Sequence, residues 1–431
     1  MLPKRIRGAL LAFLAMVTSA YAAHVHAEES ARCSGGITRA NVVACALRAS
    51  PAIAGEQRGL AALEGRRTSA SLVLPSNPTL AVNVGRRSSP IEGTGIDWNA
   101  TLSQEIEIAG QRGARLAVVG AERDAQRARV AMTERDVAAG ALAAYFDAIA
   151  SAEEKRVADR LVELAGALTR LAQGRVEQGL ASEVEADVAQ AAATRLVLAQ
   201  ITAQRHVAIA NVALATALGR DVTKPIAVEG SLDPLAASNM DSESLVRLSI
   251  AQRPELAMSE AERRAQERRS DIYRRSRVPN VTLSVFVQND RINDRVLGVG
   301  VAVPIPLPAP VGRTYAGAIA ESEALAERAA AETERLRRAV RLDVLTAFEN
   351  VASRKREVLL FPPERVRRAE EGLAAIAREL DAHRLAVRDA LLMQQGLVEF
   401  LQSSVEARRQ LCLASIELAR VSGVALDRGA P

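Results

Sequence analysis

The strand that decides the fold reads Ile96-Asp97-Trp98-Asn99-Ala100-Thr101-Leu102-Ser103. Apolar and polar side chains alternate along it, which is typical of a β-strand with one apolar and one polar face. A similar segment lies at 79–86, and residues 87–95 between the two are rich in proline, glycine and serine, as hairpin loops are. The sequence therefore predicts a β-hairpin with strands at about 79–86 and 96–106.

A second strand pair is predicted at about 281–289 and 296–304. Apolar residues alternate there with Gly298 and Gly300, which a water-filled lumen tolerates and a packed core does not. Strands of this length cross a bilayer when they are tilted. Four strands cannot do so alone, because their unpaired edge amides would each cost several kcal/mol in lipid. Three chains are therefore expected to close a barrel of 12 strands; a small soluble sheet is the alternative.

Long helices are predicted after each strand pair. No helix breaker occurs from Gly110 to about Gln178, which corresponds to a helix of roughly 100 Å. Gly179 and Ser182 suit a helix stop and the cap of a following helix, so a hairpin tip is expected at about 179–182. The second tip is expected at about 383–389, after a helix break at Pro362-Pro363. Coiled-coil spacing is seen in Leu161, Leu164, Leu168 and Leu171 and in Leu373, Ile376 and Leu380.

The chain is organised as two similar halves, because the same elements recur in the same order at a spacing of about two hundred residues. Each half contains a helix, a strand pair, a very long helix, a turn and another long helix. We therefore divide the sequence into a signal peptide at 1–27, a first repeat at 28–235 and a second repeat at 236–431.

The N-terminus has the features of a secretory signal. Lys4, Arg5 and Arg7 precede an apolar run at 9–18, and small residues suit cleavage after Ala23 or Ala27. Cleavage removes three basic and no acidic residues, so 53 basic and 51 acidic residues remain and the formal charge falls from +5 to +2. Since arginines and glutamates are interspersed, they indicate solvated helix faces and no nucleic-acid partner.

The three cysteines are Cys33, Cys45 and Cys412. In an oxidising compartment they permit a Cys33–Cys45 bridge with Cys412 as a buried thiol. Lipid attachment at Cys33 is disfavoured by the bulky Arg32 before it, and both modifications stay open. His206 and His383 are the only histidines left after cleavage, and no cluster has metal-ligand spacing. The sequence thus predicts no metal site, no cofactor and no catalytic residue.

The chain resembles the TolC outer-membrane factor family, and most closely its branch that serves heavy-metal efflux pumps of the cobalt-zinc-cadmium type. The segment Leu102–Arg112 is similar to the strand-to-helix signature of that branch, with Ala109 and Gln111 in place of a glycine and a lysine. Gly300–Pro306 resembles the closing strand of the second hairpin. The resemblance covers residues 38–423. Its tip motif is matched by Arg175, Gly179, Leu180 and Ser182.

The resemblance implies a mainly α-helical chain with a small β part. Its duplicated helical hairpins and four transmembrane strands would close, as a homotrimer, into an outer-membrane β-barrel of 12 strands and a periplasmic α-barrel. The tips would engage a periplasmic membrane-fusion adaptor coupled to an inner-membrane RND pump. The predicted adaptor-binding residues are Arg175, Gly179, Leu180, Ser182, Arg384, Leu385 and Ala386. Threefold symmetry would also turn Arg384, Arg388 and Asp389 into charge rings at the aperture.

The function expected from this resemblance is the passive outward conduction of heavy-metal cations of the cobalt, zinc, cadmium or nickel class, without enzyme activity. Two alternatives remain. The same kind of duct can serve multidrug efflux or type I protein secretion, which the sequence distinguishes poorly. A protein of another class, a periplasmic coiled-coil adaptor or structural protein, would lack the barrel and would normally have one helical hairpin.

Overall fold

The computed structural model describes Cys33 and residues 35–89, 93–235, 240–290, 294–382, 384–424 and 426. The predicted signal peptide and His383 lie outside these residues. The described part is mainly helical with a small sheet. Its elements in chain order are α1 (Arg39–Ala49), α2 (Pro51–Ala70), β1 (Thr79–Ser89), β2 (Gly93–Ile106), α3 (Gln111–Glu177), α4 (Glu183–Ala217), α5 (Ser242–Gln252), α6 (Pro254–Arg275), β3 (Val281–Asp290), β4 (Asp294–Ala302), α7 (Ala316–Leu359), α8 (Pro363–Asp381) and α9 (Val387–Ser422).

The chain forms two compact units, and each unit takes segments from both halves of the sequence. The first unit comprises the described residues up to Ile53 together with Thr133–Gln252 and those from Val340 onward. The second comprises Ala54–Met132 and Arg253–Ala339. Each compact unit therefore contains residues of both predicted repeats, 28–235 and 236–431.

The four strands form one antiparallel sheet in the order β1-β2-β3-β4. Each strand differs from the prediction in at least one bound; β1 ends at Ser89 instead of residue 86, and β3 ends at Asp290 instead of residue 289. Strand β2 begins at Gly93 instead of residue 96, because its pairing with β1 continues to Ser89↔Gly93. Strand β4 spans Asp294–Ala302 instead of 296–304, and its pairing ends at Thr282↔Ala302. Pro304 has no amide hydrogen to donate to the ladder, which favours an end before it.

Glycine and proline set the helix ends as expected. Helix α3 begins after Gly110 and ends before Gly179, and both glycines have positive φ, +72° and +69°. Helix α7 ends at Leu359, and α8 begins at Pro363, where the missing amide hydrogen costs no intrahelical bond. The predicted break at Pro362-Pro363 is confirmed.

The core of the first unit surrounds Leu142, Tyr145 and Phe146, each at most 1% exposed. The Tyr145 hydroxyl donates a hydrogen bond of 2.9 Å to the Glu229 carbonyl oxygen. A side chain at Gly230, whose φ is +148°, would collide with this hydroxyl. Cluster members from α1, α3, α4 and α9 include Val42, Ala46, Leu214, Cys412 and Ile416. One contiguous core thus joins residues from both ends of the chain.

Cys33 and Cys45 form a disulfide with a Cα–Cα distance of 5.7 Å, which realises the bridge that the sequence permitted. Cys412 is free and fully buried. Burial raises the pKa of the Cys412 thiol to about 12 from its ordinary value of 9.0, with a smaller contribution from Asp233 in the same direction. Because the thiolate is the nucleophile, this thiol is expected to be inert in the folded protein.

We expect native protein at pH 8.5 to resist alkylation by iodoacetamide and unfolded, unreduced protein to take up one label at Cys412. The reason is that burial blocks access and keeps the thiol neutral. The stability from burying a neutral thiol is complete below pH 9 and is lost as the pH rises from 9 towards 12. Intact mass measures the label count. A Cys412→Ala variant is the control, and rapid labelling of the folded wild type would contradict the prediction.

Candidate functional site

The first helical hairpin end closes in the way that the sequence predicts. The Leu180 amide donates to the Arg175 carbonyl oxygen at 2.8 Å, and the Gly179 amide donates to the Val176 carbonyl oxygen at 2.9 Å. These bonds satisfy carbonyls at the end of α3, and the left-handed conformation they require suits Gly179. Leu180 is left 61% exposed at the turn.

Ser182 begins the following helix. Its hydroxyl oxygen accepts a hydrogen bond from the Glu185 amide at 3.3 Å, as an N-cap does. Glu183 and Glu185 lie in the first turn of α4, where the positive end of the helix dipole favours acidic side chains. The turn is thus ordered by local bonds and leaves Leu180 free to contact another surface.

Arg175 has a polar atom that the chain itself does not satisfy. Its Nε is buried and has no hydrogen-bond partner among the residues that the structure describes. A buried donor without a partner costs about 1–3 kcal/mol. This atom lies one turn before the exposed Leu180, at the same hairpin end.

The second hairpin end has the same closing bond with different residues. The Arg384 amide donates to the Glu379 carbonyl oxygen at 2.9 Å, which repeats the five-residue step from Leu180 to Arg175. Ala386 is the N-cap of α9, without a side-chain capping bond. The sequence gives no glycine signal here, so this likeness was not predictable from it.

The three predicted aperture charges differ in their surroundings. Arg384 pairs with Glu379, with Nε 2.8 Å from Oε2, and both side chains are largely exposed. Arg388 and Asp389 are also exposed, and neither makes an ion pair with another described residue. Asp389 lies in the first turn of α9. Arg384 therefore contributes little net charge, whereas the charges of Arg388 and Asp389 are not paired within the described residues.

The two hairpin ends share one hydrophobic cluster in the first unit. Leu168 and Ala172 of α3 and Ala189 of α4 pack with Ile376 of α8 and Ala390 of α9. Leu385 packs against this cluster from the second turn. The structure thus brings the predicted tip residues of both halves to neighbouring helix ends.

A groove beside the second end was missed by the sequence analysis. It has a volume of about 580 Å³ and lies between α8 and α9, with Ile376 at its base. Leu392 and Met393 line it and are 61% and 52% exposed. Their signal in the sequence is two adjacent large apolar residues near a helix start, which alone does not indicate exposure.

The sheet of the second unit has one continuous exposed apolar face. Leu80, Leu102, Val285 and Val299 lie directly opposite one another across all four strands. Val299 is 82% exposed and Leu297 is 75% exposed. The large exposed side chains of this face are Leu80, Val82, Val84, Ile96, Trp98, Leu102, Leu283, Val285, Leu297, Val299 and Val301.

The opposite face of the sheet is mostly polar or small, with Phe286 and Val296 as its large apolar residues. Asn83, Asn99 and Gln288 form one cross-strand row there. In the next row the Phe286 ring covers Gly298, so that any side chain at that glycine would collide with it. The outer sides of β1 and β4 have no strand partner within the described sheet.

The described residues include neither a histidine in a buried polar site nor a cluster of metal ligands. His206 Nδ1 lies 3.3 Å from Glu154 Oε2, and both side chains are partly exposed. No group of three or more His, Cys, Asp or Glu side chains among the described residues could hold a metal ion. Within the same residues, every helix is too short or too polar to cross a membrane.

Two glycines near the first hairpin end are expected to respond oppositely to replacement by alanine. Gly179→Ala puts a side chain at φ +69°, whereas Gly174 lies in α3 with open space around its Cα. Because alanine costs about 1–2 kcal/mol in the left-handed region and stabilises a helix interior by about 1 kcal/mol, amide exchange at 170–185 should rise at least about fivefold in the first variant and fall in the second. Hydrogen-exchange mass spectrometry checks this; equal effects of both variants would contradict the turn geometry.

Comparison with known proteins agrees with this architecture. Residues 46–220 match the family model of the outer membrane efflux proteins. Protein CyaE of Bordetella pertussis is 28% identical over 249 residues, which cover 56% of this chain and 52% of that protein, so the chain spans about half the length of the curated relative it matches.

Solved structures cover more of the chain. The outer-membrane channel OprN aligns with a TM-score of 0.71 at 16% identity, over 90% of each chain. VceC of Vibrio cholerae aligns with a TM-score of 0.70 at 17% identity, over 89% of this chain and 95% of that one. CusC aligns with a TM-score of 0.73 at 12% identity, over 89% and 91%. The chain therefore has the fold of the outer-membrane channel proteins, and its residues 46–220 carry the sequence pattern of the outer membrane efflux proteins.

Proposed function

We propose that this chain is an outer-membrane channel subunit of a tripartite efflux system. The observation that carries the proposal is the exposed apolar face of the sheet, with its polar opposite face. The fold and the family match at residues 46–220 support it. The protein acts as a passive duct, without catalytic residues or a cofactor.

The apolar face requires an apolar environment. Soluble monomers rarely expose contiguous apolar patches larger than a few hundred Å². The face here extends across four strands from Leu80 to Val299 and is interrupted by polar residues only towards its ends. A bilayer satisfies such a face, while the row of Asn83, Asn99 and Gln288 suits an aqueous lumen.

The sheet edges supply the argument for assembly. In lipid, the open amides of β1 and β4 must be paired, because water is absent there. All neighbours in the sheet are antiparallel, so β4 placed beside β1 of another copy continues the alternation. Three copies would give a homotrimeric barrel of 12 strands, with the helices of each copy extending into the periplasm as an α-barrel.

The hairpin ends are the proposed contact sites for a periplasmic membrane-fusion adaptor coupled to an inner-membrane RND pump. Leu180 and the groove at Leu392 and Met393 offer exposed apolar surface. Arg175 lies one turn before Leu180 at the first of these ends. Gly179, Ser182, Leu385 and Ala386 contribute by setting the turn geometry rather than by offering charge.

The proposed cargo is heavy-metal cations of the cobalt, zinc, cadmium or nickel class. Its support is the resemblance of Leu102–Arg112 to the signature of the metal branch. Multidrug efflux and type I protein secretion are the competing cargoes, and growth of a deletion strain on metal salts or on drugs separates them. An adaptor protein is disfavoured, because two helical hairpins accompany two strand pairs in the fold.

The N-terminal processing is also a proposal. Residues 1–27 would be removed on export, with cleavage after Ala23 or Ala27. N-terminal sequencing of protein from outer membranes tests both sites. Intact mass tests whether Cys33 carries lipid or only the bond to Cys45.

Trp98 is the single tryptophan and tests the orientation of the sheet directly. It belongs to the exposed apolar face, so vesicles of lipids brominated on the acyl chains should quench its fluorescence by more than half. Asn99 lies next to it on the polar face. The double variant Trp98→Phe/Asn99→Trp should be quenched much less, because its indole faces the lumen.

Equal quenching of the two proteins would mean that the sheet does not separate lipid from lumen. In that case the channel proposal would be abandoned in favour of a soluble sheet. The mass of the detergent-solubilised oligomer accompanies the measurement, since a trimer is required for closure.

The aperture charges are tested by planar-bilayer conductance. We expect Asp389→Asn to lower cation preference and Arg388→Gln to raise it, because a ring of like charges sets the local ion concentration. Arg58→Gln, an exposed position on α2, is the control and should leave the reversal potential unchanged. If neither tip variant shifts the reversal potential, these residues are ordinary turn residues.

A further inference from the structure

We propose that the strand-to-helix junctions of the second unit form a binding belt for anionic phospholipid headgroups; the inference rests on the proposed membrane position of the sheet. The basal belt, as we call it, comprises residues 71–78, 107–115, 273–280 and 303–315. These segments connect the four strands to helices α2, α3, α6 and α7.

Hydrogen bonds tie the four junctions into one layer. Arg112 Nε donates to the Ser71 carbonyl oxygen at 2.7 Å, and the Arg275 guanidinium donates to the Ala109 carbonyl oxygen at 2.9 Å. Arg277 Nε donates to the Thr314 carbonyl oxygen at 3.2 Å. The Gln111 side-chain amide donates a hydrogen bond of 2.9 Å to the Asn280 side-chain oxygen. The four segments therefore form one connected surface and not four independent loops.

Large aliphatic side chains project from this layer beyond the ends of the strands. Ile305 is 83% exposed, Val311 is 80% exposed and Val73 is 71% exposed. The others are Leu72, Leu74, Ile108, Val278, Val303 and Leu307. They lie next to the strand ends, where the chain is already irregular or helical.

Four arginines that form no ion pair within the described residues lie among these aliphatic residues. Arg112, Arg275 and Arg277 each bond a backbone carbonyl, which leaves the positive charge uncompensated. Arg313 lies 5.2 Å from the centre of the Tyr315 ring. All four are exposed, and none has an ion-pair partner within the described residues.

The acidic residues in and beside the belt have partners. Glu107 forms an ion pair with Arg115, although one of its carboxylate oxygens is buried without a hydrogen bond. Glu105 accepts a hydrogen bond of 2.8 Å from the Asn280 side chain. Arg274 pairs with Glu323 at 2.6 Å. The four arginines without an ion pair therefore outweigh Glu105, which lies beside the belt and has no cationic partner among the described residues.

Two of the four tyrosines of the sequence belong to the basal belt. Tyr273 and Tyr315 stack with ring centres 6.3 Å apart, while Tyr145 lies in the core of the first unit and Tyr21 lies outside the described residues. Tyrosines concentrate where lipid meets water, because one end of the side chain is apolar and the other is polar. The belt thus has the side chains of a membrane boundary.

This combination selects a phospholipid with a net negative headgroup. The aliphatic residues suit acyl chains, and a guanidinium that keeps unused N–H groups can donate two parallel bonds to a phosphate. Arginine stems also cover apolar surface while their charged ends reach the headgroups. A zwitterionic lipid offers the same chains, but its ammonium group opposes the arginine charge.

The test is a lipid titration of the full-length oligomer in detergent, followed by native mass spectrometry. Phosphatidylglycerol should bind more tightly than phosphatidylcholine with the same chains. Arg277→Gln and Arg313→Gln should each lower the affinity for phosphatidylglycerol about fivefold, as expected for one basic residue near an anionic surface. Arg277→Lys should retain most of the affinity, since it keeps the charge. Arg58→Gln is the matched control: it removes an exposed arginine of the same unit that lies roughly 18 Å along α2 from Ala70.

Equal affinity for the two lipids, or an equal loss in Arg58→Gln, overturns the headgroup assignment. Displacement of phosphatidylglycerol by millimolar inorganic phosphate would assign the arginines to a free anion and would also overturn it. These outcomes are separable from failure of the channel proposal, because lipid quenching of Trp98 persists if only the headgroup assignment is wrong.

Discussion

The hydrogen-bond ladder between β2 and β3 is the interaction on which the sheet depends. It joins two hairpins from different halves of the sequence, from Trp98↔Asn289 to Ile106↔Val281. Its register places Leu102 opposite Val285, so that both hairpins turn their apolar residues to the same side. A shift by one residue would move one apolar set to the polar face. The separation of lipid and water in the proposed channel therefore follows from this single register.

The sequence allowed the four strands to be predicted because apolar residues recur at every second position, even though Phe286 and Val296 interrupt the polar positions. It did not give the order in which the two hairpins pair, since that depends on contacts between residues far apart in the chain. The start of β2 at Gly93 was missed because glycine and threonine near a turn resemble loop residues. The break at Pro362-Pro363 was predictable, because proline lacks the amide that a helix needs.

The candidate site was predictable only in part, and the two hairpin ends explain why. Gly179 and Ser182 make the first turn predictable from the sequence. A positive φ favours glycine, and an N-cap favours residues such as serine. The second turn makes the same five-residue backbone bond, to the amide of Arg384, but the described residues there include no glycine. Such a backbone hydrogen bond needs no characteristic residue type when tertiary packing stabilises the turn, as the packing of Leu385 does here. The basal belt was likewise hidden, because its arginines and tyrosines are scattered in sequence and meet only in the fold.

The open edges of β1 and β4 also constrain how the protein can be made. A chain whose sheet has formed before it meets other copies exposes two unpaired strand edges beside an apolar face, the combination that most readily leads to aggregation. Charged or proline residues that would blunt these edges are sparse along the middle of β1 and β4, where Leu80 to Val84 and Val296 to Val301 are uncharged. For the proposed trimer, biogenesis would therefore either delay strand pairing until the copies are together or keep the nascent sheet bound to a chaperone.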